Sequence, residues 1–149
     1  GRCALGDGLV IRRAAPADLA TLLELCAEFC EVDDHPFDPA GYEAGLRPLL
    51  SDDTHGVVWL VDDDAGYVVV TWGWSLESGG PDALLDEFYL RHRSEGLGST
   101  VLAEVVAAVR ERGAHRIFLE TERPNEAARR FYRRAGFTED DSVWLSLDL

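Results

Sequence analysis

The chain has 149 residues, 46% of them hydrophobic and 28% charged, a balance that excludes disorder and predicts one globular domain over residues 1–149. Fourteen basic residues against 28 acidic ones give a net charge of −14, which excludes general nucleic-acid coating and disfavours an anionic membrane surface. All 14 basic residues are arginine, so the chain has neither a Walker-type phosphate loop nor a Schiff-base lysine.

No methionine is present and no signal peptide is evident, so a trimmed or tagged start at Gly1 and a cytosolic location are expected. No apolar run approaches the roughly 18 residues of a membrane span. Leu9–Arg13 reads as a short strand, and Pro16–Ala17–Asp18 opens a helix with proline in its first turn. Leu19, Leu22, Leu23, Cys26, Phe29 and Cys30 then recur at helical spacing. With Cys3 there are three cysteines, which cannot pair completely. Cys26 and Cys30, with His35 close behind, lack the fourth ligand and tight spacing of a zinc site; they read as small buried hydrophobes, and no metal is expected.

A loop over Val32–Pro39 leads to a second helix, Ala40–Leu50, which presents Tyr42, Leu46, Leu49 and Leu50. Val57–Val61 and Tyr67–Leu76 read as two strands joined by the turn-rich stretch Asp62–Gly66. A fourth strand is expected over Ala83–Leu90. On it Asp86 and Glu87 are consecutive, so regular alternation would point them to opposite faces. Beyond it the order becomes Gly-rich turn, helix, strand, helix. Val101, Leu102, Val105, Val106 and Val109 form the stripe of a helix stopped by Gly113. Arg116–Thr121 reads as a strand, Pro124–Asn125 starts a last helix that Gly136 ends, and Ser142–Asp148 closes with Val143, Leu145 and Leu147 alternating. The class is α+β or α/β, built on one sheet.

Charge is unevenly placed. Arg91 to Arg134 holds ten arginines and six glutamates, a net of +4, and the remaining residues carry −18. One anionic and one cationic ligand would suit that division. In the basic third, Arg93–Ser94–Glu95–Gly96–Leu97–Gly98 joins a strand to a long helix. Glycine lets backbone approach a ligand, and the unpaired N–H groups and positive dipole end of the helix can cradle a phosphate without lysine.

Arg93, Gly96 and Gly98 match the turn [Arg/Gln]-x-x-Gly-x-[Gly/Ala], and Asn125, Ala128, Phe131, Tyr132, Gly136 and Phe137 match an Asn…Ala-x-x-Phe-Tyr…Gly-Phe signature. Together these resemble the GNAT superfamily of acetyl-CoA-dependent N-acetyltransferases. The element order agrees over nearly the whole chain, and residues 83–137 carry the specific motifs. One departure is a loop between Leu90 and Arg93 shorter than the family norm.

The resemblance implies a mixed, mostly antiparallel sheet of six to seven strands flanked by about four helices and splayed between its fourth and fifth strands. It implies acetyl-CoA as co-substrate, its pyrophosphate held by the turn Arg93, Ser94, Glu95, Gly96, Leu97, Gly98 and Ser99. Asn125 would contact the pantetheine arm, which would lie along the backbone of Phe88, Tyr89 and Leu90. An amide N–H there would polarise the thioester carbonyl. Arg129 would reach the phosphates, or else favour the negative end of its own helix. Tyr132 is the expected proton donor to the departing thiolate. Asp86 is the expected base for the amine, with Glu87 the alternative.

The acceptor side would draw on Glu28, Glu31, Asp33, Asp34, His35, Trp72, Trp74 and Glu77. Glu28, Asp33, Trp72 and Trp74 lead, because acids beside indole faces suit a cation. The expected reaction is direct acetyl transfer to a primary amine in a ternary complex. Small cationic amines such as polyamines lead, followed by aminoglycoside-type or protein amines. The partner is thus a small-molecule amine, with neither nucleic acid nor membrane, and family analogy adds a homodimer. The competing class is a non-catalytic acyl-CoA-binding module.

Overall fold

The computed structural model describes residues 9–93 and 96–149, so Cys3, Ser94 and Glu95 lie outside the described residues. In chain order the elements are β1 (Ile11–Arg13), a 3-10 turn (Pro16–Asp18), α1 (Leu19–Val32), α2 (Pro39–Ser51), β2 (Gly56–Val61), β3 (Gly66–Ser75), β4 (Gly80–Leu90), α3 (Leu97–Arg112), β5 (Ile117–Phe118) and α4 (Glu126–Arg134). The strands form one sheet in sequence order, antiparallel up to β4, with β5 added parallel. None of the described helices is long and apolar enough to cross a membrane.

Alternation along the central strands sorts the core into two layers. Val57, Trp59 and Val61 of β2, with Val68 and Val70 of β3, pack against Val101, Leu102, Val105 and Val109 of α3. Val58 and Leu60, with Tyr67 and Val69, pack against Leu22, Leu25 and Cys26 of α1 and Leu46 and Leu50 of α2. All six residues of β2 are buried, as a strand covered on both faces requires. Glu104 of α3 closes the β1 edge: its Oε1 accepts from the backbone N–H of Val10 at 2.8 Å and of Ile11 at 3.1 Å.

The hairpin after β2 turns at Asp62 and Asp63, both in the left-handed region, and returns through Gly66 opposite Leu90. A Cβ at Gly66 would collide with the Tyr89 carbonyl oxygen. Gly66→Ala is therefore expected to destabilise the fold by about 1–3 kcal/mol. A urea midpoint lowered at unchanged slope would bear this out, and an unchanged midpoint would refute it.

Two expectations fail at the C-terminal end. The strand expected over Arg116–Thr121 shortens to Ile117–Phe118, and that expected over Ser142–Asp148 does not form, leaving five strands among the described residues instead of six to seven. Val143, Leu145 and Leu147 are exposed. Alternation specifies which face a strand would show but supplies no backbone partner, and a two-residue β5 is a poor template for another strand.

Candidate active site

The site is built where β4 changes its phase. Val69 of β3 pairs with Glu87 and Val70 with Leu85, so Asp86 is an extra residue in a β-bulge. Leu85 and Phe88, three apart, consequently both pack on the α3 face, while Glu87 turns to the α1–α2 face. The expectation that Asp86 and Glu87 alternate strictly is thereby corrected. Beside the bulge, β4 pairs with β5 only at Ala83↔Ile117 and Leu84↔Phe118. From Glu87 to Leu90 it pairs with β3 alone, which opens the splay expected between the fourth and fifth strands.

Glu87 is held on both oxygens. The buried Tyr67 hydroxyl donates to Oε1 at 2.6 Å, and the Tyr42 hydroxyl, carried by α2, donates to Oε2 at 2.8 Å. Cys30 Sγ lies 3.4 Å from the same Tyr42 oxygen as a weak donor. Burial pushes the Glu87 carboxyl above its ordinary value; the two phenol bonds oppose this without cancelling it, the Asp86 charge adds to the rise, and His35 counters it. Asp86 touches solvent, yet desolvation by its surroundings also raises it. Burial moves both tyrosines upward, so they remain protonated donors.

On the opposite face, α3 is preceded by its N-cap Gly96, in the left-handed conformation at φ 81° and without a side-chain cap hydrogen bond. Among the described residues the first helical bond runs from Thr100 N–H to the Gly96 carbonyl, and there the first-turn amides of Leu97, Gly98 and Ser99 have no intrahelical partner. A Cβ at Gly98 would lie 3.3 Å from the Phe131 ring, so this turn sits tight against α4. Phe131 in turn meets Phe88 of β4 edge-on at 6.1 Å. Tyr132, next along α4, packs between Phe131 and Phe137. Desolvation alone acts on its phenol and pushes it up to about 12.

The other expected residues are placed variously. Asn125 caps α4, its Oδ1 accepting from Ala128 N–H at 3.1 Å, which leaves its amide N–H₂ for another partner. Arg93 is exposed. Arg129 is engaged by Glu139 through Nε at 2.8 Å and Nη2 at 2.9 Å, and Arg133 reaches the same carboxylate at 3.4 Å. Tyr89 presents its hydroxyl to Glu28 at 3.1 Å, and Arg91 binds Glu28 at 2.8 Å, joining the end of β4 to α1. That arginine, followed by the tyrosine, holds the Glu28 carboxyl below its ordinary value.

The acceptor residues expected to lead do not converge. Glu28 is occupied by Arg91, and Asp33 is an exposed cap at the end of α1. Trp72 belongs to the α3 face, where its Nε1–H donates to the Asp53 carbonyl at 2.8 Å and Arg112 stacks 4.9 Å over its ring. Trp74 is 74% exposed near the far end of β3. A hollow of about 350 Å³ instead opens at the end of α1, lined by Cys30, Glu31, Asp34, His35 and Pro36. Through Cys30 and Tyr42 it adjoins Glu87. Sequence reasoning missed Tyr42 and Tyr67 as partners of Glu87. The available signal was the pair of acids between Leu85 and Phe88, too polar and one residue too long for simple alternation.

Residues 19–137 match the sequence profile of the Acetyltransferase (GNAT) family. No curated protein matches the chain. Among solved structures, a candidate acetyltransferase from Arthrobacter sp. FB24 is 30% identical, with a TM-score of 0.82 and 100% of both chains covered. An integron cassette protein from the mobile metagenome of Cole Harbour Salt Marsh is 28% identical, with a TM-score of 0.82, covering 94% of this chain and 90% of that one. An aminoglycoside acetyltransferase from an uncultured soil metagenomic sample, solved with sisomicin, shares the fold at 19% identity and a TM-score of 0.74, covering 93% of this chain and 95% of that one. With most of its length matched, with β4 parting from β5 and with Gly96 at the head of α3, the chain belongs to the GNAT family of acetyltransferases.

Proposed function

We propose that this acetyltransferase moves the acetyl group of acetyl-CoA directly onto a primary amine of a small cationic acceptor, with Glu87 as base and Tyr132 as proton donor. The observation that carries the reading is the coincidence, at one bulge, of a carboxylate with a raised pKa and the point where β5 parts from β4. The residues present suit the co-substrate. The left-handed Gly96 and the first-turn amides of Leu97, Gly98 and Ser99 suit a pyrophosphate, and the backbone of Asp86–Leu90, unpaired on its β5 side, suits an amide-bearing arm. When bound, acetyl-CoA supplies an activated acetyl thioester.

A primary amine has a pKa of about 10.4 and must shed a proton before it can attack. Glu87 takes that proton, directly or through water, as the C–N bond forms; a raised carboxyl pKa narrows the gap between donor and base. A backbone N–H of β4 steadies the charge growing on the carbonyl oxygen. As the C–S bond breaks, the Tyr132 phenol, still protonated at neutral pH, hydrogen-bonds the sulfur and returns a proton to it.

Glu31 and Asp34 at the hollow would receive a second positive charge of the acceptor, which favours polyamines. Joint replacement by Gln and Asn is expected to raise KM for a polyamine roughly 2- to 10-fold at nearly constant kcat. Unchanged KM would remove the hollow from acceptor binding. An aminoglycoside is the second reading, favoured by the sisomicin complex of the soil relative. Thiol release from acetyl-CoA across polyamines, aminoglycosides and peptide amines tests the assignment. The highest kcat/KM with a polyamine is expected, and turnover confined to aminoglycosides or peptides would overturn the polyamine reading.

A further inference from the structure

We propose that Tyr67 and Tyr42 are positioning residues for the reaction, each phenol fixing one oxygen of the Glu87 carboxylate so that its remaining lone pairs are aimed at the acceptor amine. The inference rests on Glu87 being the base. Its geometric basis is a three-element clamp: Tyr67 stands on β3, Tyr42 on α2 and Glu87 on β4, with bonds of 2.6 Å and 2.8 Å to separate carboxylate oxygens. Those bonds span 20 and 45 residues of chain, so neither is a by-product of local backbone geometry. Tyr67 has no exposed surface, and a phenol buried so completely requires a partner. Tyr42 is directed by Cys30, whose thiol can donate to the Tyr42 oxygen and leave the phenol proton committed to Glu87.

A carboxylate with one free torsion would sample several orientations in a cleft, whereas one held at both oxygens keeps a single approach for the amine proton. Among the described residues the groups facing Glu87 are Tyr67 from β3, Tyr42 from α2, Cys26 from α1, His35 from the α1–α2 loop and Asp86 from its own strand, with Cys30 of α1 behind Tyr42. Among the described residues no arginine contacts this carboxylate, so the two phenols are its chief donors. Removing either one withdraws stabilisation from the charged form, and the carboxyl must then titrate at higher pH.

Tyr67→Phe and Tyr42→Phe keep ring volume and delete only the donors. Carbon-13 NMR titration of glutamate-labelled protein, with the Glu87 signal assigned by its loss in Glu87→Gln, reads the effect without any acceptor. The Glu87 titration is expected to move to higher pH in each variant. With the best acceptor of the amine panel, kcat/KM should fall about 10- to 100-fold while acetyl-CoA affinity holds, and the acid limb of kcat/KM should move in the same direction as the NMR titration. If Tyr67→Phe does not fold, Tyr42→Phe, on the half-buried side of the clamp, decides alone. A Glu87 titration identical to wild type in the folded variants overturns the positioning role. A shifted titration accompanied by full turnover in Glu87→Gln overturns instead the assignment of Glu87 as base.

Discussion

Replacing Tyr132 by Phe is expected to lower kcat by about 10²–10⁴-fold, the usual contribution of a positioned proton donor, while acetyl-CoA affinity stays within a few-fold of wild type. The ring is held independently of its hydroxyl: it packs edge-on against Phe131 at 5.0 Å and Phe137 at 5.6 Å, contacts that Phe preserves. Only the donor is lost. Its pKa of about 12 keeps the phenol protonated across the neutral range, so the wild-type rate should show no limb from Tyr132 near neutral pH. Single-turnover kinetics with acetyl-CoA prebound would separate chemistry from binding. A kcat equal to wild type would leave Tyr132 a purely packing role between Phe131 and Phe137.

Glu87→Gln is expected to cost a similar factor, about 10²–10⁴ in kcat/KM, and to abolish the acid limb of the pH profile. The sign follows from the raised carboxyl pKa. Below it Glu87 holds a proton and cannot accept another, so activity climbs as pH rises through the folded-state value and the limb lies above the ordinary glutamate range. Asp86→Asn provides the contrast. Asp86 is also raised by desolvation, yet it touches solvent and no side chain among the described residues clamps it. Its replacement should spare the limb and shift it slightly to lower pH, because a neighbouring negative charge that raises Glu87 is removed. A limb that vanishes in Asp86→Asn and survives in Glu87→Gln would exchange the two roles.

Those two acids show how far the site was legible in the residues themselves. The two glycines and the Phe131–Tyr132 pair are local signatures, each depending on spacing within one stretch of chain: Gly96 stands at the N-cap of α3 and the aromatic pair on α4. The surroundings of Asp86 and Glu87 depend on a bulge and on tyrosines from α2 and β3, which periodicity within β4 cannot reveal. The same limit explains the acceptor residues. Trp72 and Glu28 carry the right chemistry for a cation, but Trp72 lies on the α3 face and Glu28 is taken by Arg91. It also explains the missing last strand, where Val143, Leu145 and Leu147 alternate without a backbone edge to join. Arg129 stands within the basic third and is nevertheless paired to Glu139, an acid just beyond it. A segment's net charge is thus a weaker guide to free cations than side-chain geometry.

Direct transfer to an amine is tested most simply by mass spectrometry of a reaction containing acetyl-CoA and the best acceptor of the panel. One acetyl group on the amine for each CoA thiol released is the expected result. Thiol release without acetylated amine, or tight acetyl-CoA binding with neither product, would contradict it.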